Sequence, residues 1–195
     1  RAYRLRADKT AFIILGVTVK PPFQARVCVL VLSALVAGKL ASSAQTAAKF
    51  LPLRVHDPAT LLKFEDTFWT FATGDGIKTL RSTNLFDWEF DKPALPSNPA
   101  WTTQVAAPHR DYFWAPDAIF ANGRYLLYYS VSSWGKNTSA IGLATNPTLN
   151  PADPSFKWSD AGIVVRSFTT NDFNTIDPAL TFDAAGRLWL AFGSY

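Results

Sequence analysis

The sequence predicts an all-β chain that forms part of a β-propeller, and three observations support this fold class: a repeated hairpin, its even spacing and an aromatic-rich composition. Of the 195 residues, 48% are hydrophobic and 14% are aromatic, with 7 Trp, 6 Tyr and 15 Phe. This composition is sufficient for a buried core, and aromatic side chains are favoured in strands. No helical period of 3.6 residues competes after residue 50.

Three hairpin segments of the chain line up when the aspartates that begin them are superimposed. These are Asp57, Asp117 and Asp177, which lie 60 residues apart both times. Each segment begins with an apolar strand, passes a turn and enters an aromatic strand, and the aromatic strands are predicted at 68–71, 125–129 and 188–192. The turn of the middle segment is Asn122-Gly123, a dipeptide typical of tight β-hairpins.

Further short strands are predicted between the hairpins, at 77–81, 140–144 and 162–165. Four strands in a repeat of about 60 residues are typical of a propeller blade, and propellers have roughly 4 to 8 blades. We therefore expect about two to three blades in this chain, arranged as an open arc. The alternative is a β-sandwich whose hairpins are similar by accident, and the equal spacing argues against it.

The first 49 residues differ from the rest of the chain in charge. They hold eight of the 19 basic residues and one acidic residue, a net charge of +7, whereas the remaining residues have a net charge of −3. A basic nucleic-acid-binding face on the folded part is therefore not expected. The excess of positive charge belongs to the leader.

The layout of residues 26–48 is that of a secretory signal: Arg26, an apolar run over 27–38, and then small residues. The apolar run has about 12 residues, fewer than the roughly 20 that a membrane-spanning helix needs. We expect an exported protein, extracellular or periplasmic, that loses about its first 44 to 48 residues and has no membrane association afterwards. A buried helix is the alternative.

These observations divide the chain into three parts. Residues 1–25 are interpreted as upstream sequence or a truncated start with no fold of their own. Residues 26–48 are the signal-like segment, and residues 49–195 are the N-terminal part of the propeller domain. The one cysteine, Cys28, lies in the signal-like segment, so the mature protein would contain no disulfide.

The three superimposed aspartates are candidate functional residues, because equivalent positions on the innermost strands of a propeller converge on one central funnel. Gathered carboxylates raise each other's pKa, and such a group can divide into a base, an acid and a residue that tunes the others. Two carboxyl groups that flank a glycosidic bond are the usual machinery of sugar hydrolysis. Trp101, Trp114 and Trp134 are expected to pack against sugar rings. Turn formation by Asp-Pro is the alternative explanation for the aspartates.

No metal or other cofactor is predicted from the residues, since the two histidines, His56 and His109, are far apart in sequence and show no clustered ligand spacing. Whether an ion lies on the axis of a complete propeller stays open.

The residues resemble glycoside hydrolase family 43, and within it the endo-1,5-α-L-arabinanases. The resemblance covers 54–195 and rests on six stretches: Val55-His56-Asp57-Pro58, 113–117 (FWAPD), 125–132 (YLLYYSVS), 139–144 (SAIGLA), 174–178 (NTIDP) and 189–194 (WLAFGS). It implies a five-bladed β-propeller and inverting hydrolysis of α-1,5-L-arabinofuranosidic bonds. The implied partners are arabinan or arabino-oligosaccharides, with no nucleic acid, and a monomer is expected.

The resemblance also implies roles for individual residues. Asp57 matches the general base, and Asp177 matches the aspartate that tunes the pKa of the acid and orients it. Trp114, Trp134 and Asn174 match substrate-binding positions, with Asp117 in a supporting role. The general acid of the family is a glutamate in the following blade, which has no counterpart up to Tyr195, so the chain by itself is expected to be inactive. It is also expected to be poorly folded, because two open blade edges and half a core would face water.

Two other functions remain open at this point. One is an exo-acting arabinofuranosidase or β-xylosidase of the same family. The other is a non-catalytic sugar-binding propeller fragment, against which the presence of both Asp57 and Asp177 argues. Whether linear or branched arabinan is preferred does not follow from the residues.

Overall fold

Three antiparallel sheets make up the part of the chain that this computed structural model describes, which comprises residues 2–7, 10–17, 53–107 and 111–193. In chain order the elements are β1 (Ala2–Ala7), β2 (Thr10–Val17), β3 (Leu62–Phe64), β4 (Thr67–Ala72), β5 (Gly74–Asp75), β6 (Lys78–Ser82), β7 (Glu89–Asp91), α1 (Thr102–Val105), β8 (Tyr112–Ala121), β9 (Arg124–Val131), β10 (Ala140–Asn146), β11 (Ser159–Arg166), β12 (Ala179–Phe182) and β13 (Leu188–Phe192). The signal-like segment, residues 26–48, lies outside the described residues.

Each sheet corresponds to one blade. Blade 1 has the strand order β3-β4-β6-β7, and blade 2 has the order β8-β9-β10-β11 with the short β5 added beside β8. Blade 3 has the order β12-β13-β2-β1. All strand pairs are antiparallel, and blades 1 and 2 are simple meanders in which most neighbouring strands follow one another in sequence.

The strands predicted from the sequence are confirmed. The aromatic runs at 68–71, 125–129 and 188–192 lie within β4, β9 and β13, and the three shorter runs lie in β6, β10 and β11. Asn122 and Gly123 both have positive φ, 53° and 74°, as the two central residues of a type I′ hairpin turn require. The single turn of helix α1 was not predicted.

The core lies between the blades, and strand β9 contributes to both sides of it. Tyr125, Leu127, Tyr129 and Val131 belong to the cluster shared with blade 1, whereas Leu126 and Tyr128 belong to the cluster shared with blade 3. This alternation follows from the two-residue period of a strand. A strand that is apolar on both faces is buried on both faces, so blade 2 is held between its two neighbours, as in a propeller.

The second strand of each blade contributes large aromatic and aliphatic side chains to the two clusters. Trp69 and Phe71 of β4 fill the first cluster, and Leu188, Leu190 and Phe192 of β13 fill the second. All five side chains are almost fully buried. Burying one such side chain stabilises the fold by about 1.5–3 kcal/mol, which explains why the aromatic runs locate the blades in the sequence.

The N-terminal hairpin is a correction to the sequence analysis, which expected no fold in residues 1–25. β1 and β2 pair with each other, and β2 pairs with β13 from Val17 opposite Leu188 to Ile13 opposite Phe192. Without this pairing β13 would present an open row of backbone N–H and C=O groups, which sheets avoid. The hairpin occupies in blade 3 the places that β6 and β7 occupy in blade 1.

The segment between blades 1 and 2 is attached to blade 2 through Trp101. Its ring stacks on Tyr129 with a centroid distance of 6.2 Å and an interplanar angle of 23°. Trp101 Nε1 and the Tyr129 hydroxyl donate to the two oxygens of Asp160 at 3.2 and 2.5 Å, and burial, followed by the bond to Asp160, raises the pKa of Tyr129. One face of the Trp101 ring and its Nε1 are thus used within the fold, and contact of Trp101 with a sugar ring stays a prediction.

Candidate active site

Asp57 and Asp177 lie at equivalent places in blades 1 and 3, just before the innermost strand of each. Both have a left-handed backbone, with φ of 49° and 54°, and both precede a proline. Aspartate tolerates this conformation better than most residues, but a residue before proline normally has an extended backbone. Such strain costs on the order of 1–3 kcal/mol per residue and is concentrated at functional sites.

The equivalent residue of blade 2 is Ala115, which has a φ of 36° and precedes Pro116. The equivalent residues are therefore 57, 115 and 177, spaced by 58 and 62 residues. The prediction that Asp117 is equivalent to Asp57 and Asp177 is wrong. The equal spacing of the aspartates does not reflect equivalent positions, because the connections between the blades differ in length. The equivalent positions are those before Pro58, Pro116 and Pro178. The pairing of β8 with β9 is irregular between Trp114 and Asp117.

Asp117 is buried, with 8% of its surface exposed, and both of its carboxylate oxygens accept hydrogen bonds from backbone N–H groups. The carboxylate is therefore used within the fold, and the supporting role in substrate binding that the resemblance implied stays a prediction. Its place is within the inner strands of the three blades rather than at their mouth.

The carboxylate of Asp57 is fixed through one of its two oxygens. Oδ2 lies 2.6 Å from Nδ1 of His56 and accepts a hydrogen bond from the Thr73 hydroxyl at 2.7 Å. The Thr73 oxygen in turn accepts the backbone N–H of Ala115 at 2.7 Å. Among the described residues no hydrogen bond is made to Oδ1, and 39% of the Asp57 side chain is exposed. One oxygen is thus oriented and the other is available to a water molecule.

The electrostatic environment of Asp177 links it to Asp57. Burial, and secondly the negative charge of Asp57, raise the pKa of the Asp177 carboxyl above its usual value. The backbone N–H of Asp177 donates to the Ser130 hydroxyl at 2.9 Å, which attaches the turn before β12 to the end of β9. The negative charge of Asp57 therefore opposes the ionisation of Asp177, and the two carboxylates belong to one site.

Two of the predicted aromatic residues come together beside this site. Trp114, the neighbour of Ala115 in sequence, contacts Trp134 with ring centroids 6.3 Å apart at an angle of 62°. Trp134 is 87% exposed. A large, flat and exposed indole is unusual unless it has a ligand to cover it, and indole faces pack well against sugar rings.

Asn174, which the resemblance matched to substrate binding, makes its hydrogen bonds within the protein. Asn174 is buried, with 3% of its surface exposed. Its Oδ1 accepts a hydrogen bond from the Ser139 hydroxyl at 2.6 Å, and its Nδ2 donates to the Lys136 carbonyl at 3.3 Å. Both ends of the amide are thus engaged within the protein. Asn174 supports the 136–139 segment, which follows Trp134, and its contact with substrate stays a prediction.

Thr73 and Ser130 are site residues that the sequence analysis did not identify. Each follows the aromatic run of its blade, at Phe71-Ala72-Thr73 and Tyr128-Tyr129-Ser130, and each accepts the N–H of a left-handed residue in the next blade, Ala115 or Asp177. A hydroxyl residue just after an aromatic strand is a weak signal in one blade. Its repetition in two blades could have identified both.

Within 53–107 and 111–193, no group of three His, Cys, Asp or Glu side chains is arranged to hold a metal ion. His109 lies outside the described residues. No helix in the part of the chain that the structure describes has the length and apolarity to cross a membrane.

Comparison with known proteins agrees with this arrangement. The family model of glycosyl hydrolases family 43 matches residues 49–195, and the chain belongs to this family. It is 43% identical over 142 residues to the extracellular exo-alpha-(1->5)-L-arabinofuranosidase ArbA of Cellvibrio japonicus. It is 41% identical over 145 residues to the extracellular endo-alpha-(1->5)-L-arabinanase 1 of Bacillus subtilis. Each alignment covers 72% of this chain.

Among solved structures, the α-L-arabinanase of Cellvibrio cellulosa in complex with arabinohexaose superimposes with a TM-score of 0.70 at 40% identity, covering 73% of this chain and 45% of that one. Arabinanases of this family are five-bladed β-propellers, and this chain forms part of that fold. The chain spans 41% and 43% of the lengths of the two curated relatives.

Proposed function

We propose that the complete protein is an inverting glycoside hydrolase that cleaves α-1,5-L-arabinofuranosidic bonds in arabinan. The observation that carries the proposal is the pair Asp57 and Asp177, which share a strained backbone position in two blades and are electrostatically coupled. Coupled carboxylates at a propeller mouth are suited to acid–base chemistry on a glycosidic bond. The names of the relatives, an arabinofuranosidase and an arabinanase, indicate the bond.

Asp57 acts as the general base in this proposal. His56 and Thr73 hold Oδ2, so the remaining lone pairs of the carboxylate point at a water molecule in a fixed direction. The base removes a proton from this water as its oxygen attacks the anomeric carbon from the side opposite to the leaving group. Correct orientation of a catalytic carboxylate matters as much as its charge.

Asp177 is assigned a supporting electrostatic role. Its negative charge favours the protonated form of a neighbouring acid and so keeps that acid able to donate its proton to the leaving oxygen. The chain contains two glutamates, Glu65 and Glu89. Glu65 lies in the turn between β3 and β4, and Glu89 is paired with Arg81. We therefore assign the general acid to a glutamate in the part of the family fold that this chain does not span.

Trp114 and Trp134 are assigned to the sugar. Their contact gives an exposed aromatic surface next to Ala115, which occupies in blade 2 the position that carries a carboxylate in blades 1 and 3. The small side chain there leaves room for a sugar ring between the two aspartates. The solved complex of a relative with arabinohexaose supports an arabino-oligosaccharide as ligand.

Exo-acting release of arabinose or short oligosaccharides is the second candidate function, because one relative at 43% identity is named an exo-α-(1→5)-L-arabinofuranosidase. Chromatography of the products from linear arabinan distinguishes the two: an endo-acting enzyme gives a ladder of lengths early in the reaction, and an exo-acting enzyme gives one short product throughout.

Export is proposed on two grounds, the signal-like layout of residues 26–48 and the extracellular relatives. Mass spectrometry of secreted protein is expected to find an N-terminus between residues 44 and 49. A secreted product that retains Cys28 would contradict this.

The inverting mechanism is tested by proton NMR of the first product formed from an α-linked arabino-oligosaccharide. Inversion gives the β-anomer first and requires the base and acid carboxyl groups to be about 6.5–9.5 Å apart, so that water fits between base and sugar. An α-anomer as the first product would overturn the mechanism. Absence of any hydrolysis by the complete protein would overturn the proposed function.

A further inference from the structure

The buried carboxylate of Asp117 binds backbone N–H groups from all three blades. Its Oδ1 accepts Thr60 N at 3.0 Å and Ala118 N at 3.0 Å, and its Oδ2 accepts Leu180 N at 2.7 Å. Thr60 belongs to blade 1, Ala118 to blade 2 and Leu180 to blade 3. Among the described residues no basic side chain is paired with this carboxylate, so backbone dipoles balance its charge.

These three N–H groups occupy the same position in their blades. Thr60, Ala118 and Leu180 each follow the left-handed residue of the blade, Asp57, Ala115 or Asp177, by three residues. The hydrogen bonds to Asp117 thus give the same set of equivalent positions as the positive φ angles do, and the two observations are independent. One side chain therefore connects equivalent positions of three inner strands.

The inner strand of a blade needs such a partner. It has one neighbour in its own sheet, β4 for blade 1 and β13 for blade 3, and the other edge faces the propeller axis. Buried N–H groups on that edge must be satisfied by something other than a strand. A charged acceptor makes stronger hydrogen bonds than a neutral one, and a single carboxylate with two oxygens can serve all three.

We propose that Asp117 is a positioning residue that fixes the separation of Asp57 and Asp177. The effect on activity rests on the proposed function. The clamp, by which we mean the hydrogen bonds from Thr60, Ala118 and Leu180 to the Asp117 carboxylate, does not depend on it. Only two residues separate Thr60 from Asp57, and only two separate Leu180 from Asp177. Because both ends are attached to the same carboxylate, blade 1 cannot shift relative to blade 3 without breaking a charged hydrogen bond.

The first test is amide hydrogen exchange in the complete protein and its variants Asp117→Ala and Asp117→Asn. Alanine is expected to remove the protection of Thr60 and Leu180 together. Asparagine keeps one carbonyl oxygen, which serves the two donors Thr60 and Ala118, and turns its NH₂ group towards Leu180 N. We therefore expect asparagine to expose the amide of Leu180 while that of Thr60 stays protected. Unchanged protection of both amides in Asp117→Ala would overturn the clamp.

The second test is steady-state kinetics with linear arabino-oligosaccharides. Misplacement of a catalytic group by about 1 Å costs on the order of 10²-fold in rate, so Asp117→Asn is expected to lower kcat by about that factor. KM is expected to change by less than about threefold, because the Trp114–Trp134 surface is untouched. A kcat equal to that of the wild type in a variant with an exposed Leu180 amide would overturn the positioning role.

Asp183→Asn is the matched control. It is the same substitution in blade 3, and the Asp183 carboxylate likewise accepts backbone N–H groups, those of Ala185 and Arg187, but at the far end of the hairpin from Asp177. It is expected to lower the melting temperature without changing kcat. A wild type that hydrolyses no arabinoside would overturn the proposed function, and amide exchange would still decide the clamp.

Discussion

The hydroxyl of Ser130 accepts the backbone N–H of Asp177 at 2.9 Å and so attaches the end of β9 in blade 2 to the strained turn of blade 3. Ser130 is fully buried. Thr73 makes the corresponding bond from blade 1 to Ala115 in blade 2 and also donates to Asp57. The strained turns of blades 2 and 3 are therefore each held by a hydroxyl from the preceding blade, and the strain at Ala115 and Asp177 is supported by contacts between blades.

Ser130→Ala is expected to lower both stability and activity. The backbone N–H of Asp177 would lose its partner, and an unsatisfied donor of this kind costs about 1–3 kcal/mol of the free energy of unfolding. Because the turn that carries Asp177 would be released, kcat is expected to fall more than KM changes. Urea denaturation and kinetics measure the two effects. Ser133→Ala, a change at a neighbouring and more exposed position, is the control, and equal effects in both variants would contradict the prediction.

Asp177→Asn is expected to stabilise the protein at neutral pH. The pKa of this carboxyl is raised in the folded state by burial and by Asp57, so the folded protein holds its proton to higher pH than the unfolded chain does. Ionisation therefore costs stability as pH rises from the unfolded pKa, about 3.9, through the folded pKa. The melting temperature of the variant should exceed that of the wild type at pH 7 and match it near pH 3.

Gly142→Ala is expected to loosen the attachment of the segment that carries Trp101. A Cβ atom at residue 142 would lie 2.6 Å from Cζ of Tyr129 and 2.7 Å from Cζ2 of Trp101, which is closer than side-chain atoms can approach. Overpacking of this kind costs about 1–3 kcal/mol. In a Trp101→Ala background the cost should be smaller, because one of the two rings is gone. A double-mutant cycle by thermal denaturation measures the coupling, and strict additivity would contradict the steric explanation.

Parts of this fold could be predicted because their physical causes are local. Successive side chains of the aromatic strand β9 enter the two cores alternately. Asn122 and Gly123 adopt the positive φ angles of their turn through their own conformational preferences. Asp57 and Asp177 were identified because they begin two of the superimposed segments and match two stretches of the family resemblance, and each precedes the proline of its strained turn. These features need no knowledge of distant residues.

The register of Asp117 and the buried hydrogen bonds of Asn174 could not be predicted, because both depend on what surrounds these residues. The spacing between aspartates in the sequence includes loops of different length. Equivalent positions in the blades are instead defined by the turns before Pro58, Pro116 and Pro178. Sequence shows neither that Asp117 is buried among three backbone amides nor that both ends of the Asn174 amide are bonded. Buried polar groups of this kind are recognisable only after the inner strands are placed.

Removal of residues 1–17 from the 195-residue chain is expected to lower its melting temperature and increase aggregation. Leu188–Phe192 would lose the pairing with β2 and present an open strand edge. Ile14→Pro tests the same contact at unchanged length, since proline removes a backbone donor opposite Ala191. Light scattering and thermal denaturation provide the measurements. Export with cleavage near residues 44–48 would also remove the hairpin, so the secreted form is predicted to need another partner for β13.

Asp57→Asn in the complete protein is expected to abolish most of the hydrolysis of linear arabinan while oligosaccharide binding stays nearly unchanged. Asparagine tolerates the φ of 49° at this position and keeps an oxygen for the Thr73 hydroxyl, so the turn is preserved while the base is lost. Asp57→Ala removes the base as well but adds backbone strain, which would confuse loss of chemistry with loss of structure. General base catalysis contributes about 10²–10⁴-fold, and a fall in kcat of that size is expected. Under the proposed function affinity comes from the Trp114–Trp134 surface, and isothermal titration with an arabino-oligosaccharide measures it separately. Asp66→Asn, in the exposed turn between β3 and β4 of the same blade, is the control and should leave both quantities unchanged. A kcat within a factor of about three of the wild type in Asp57→Asn would remove Asp57 as the base, because no effect of that size is compatible with the loss of proton transfer.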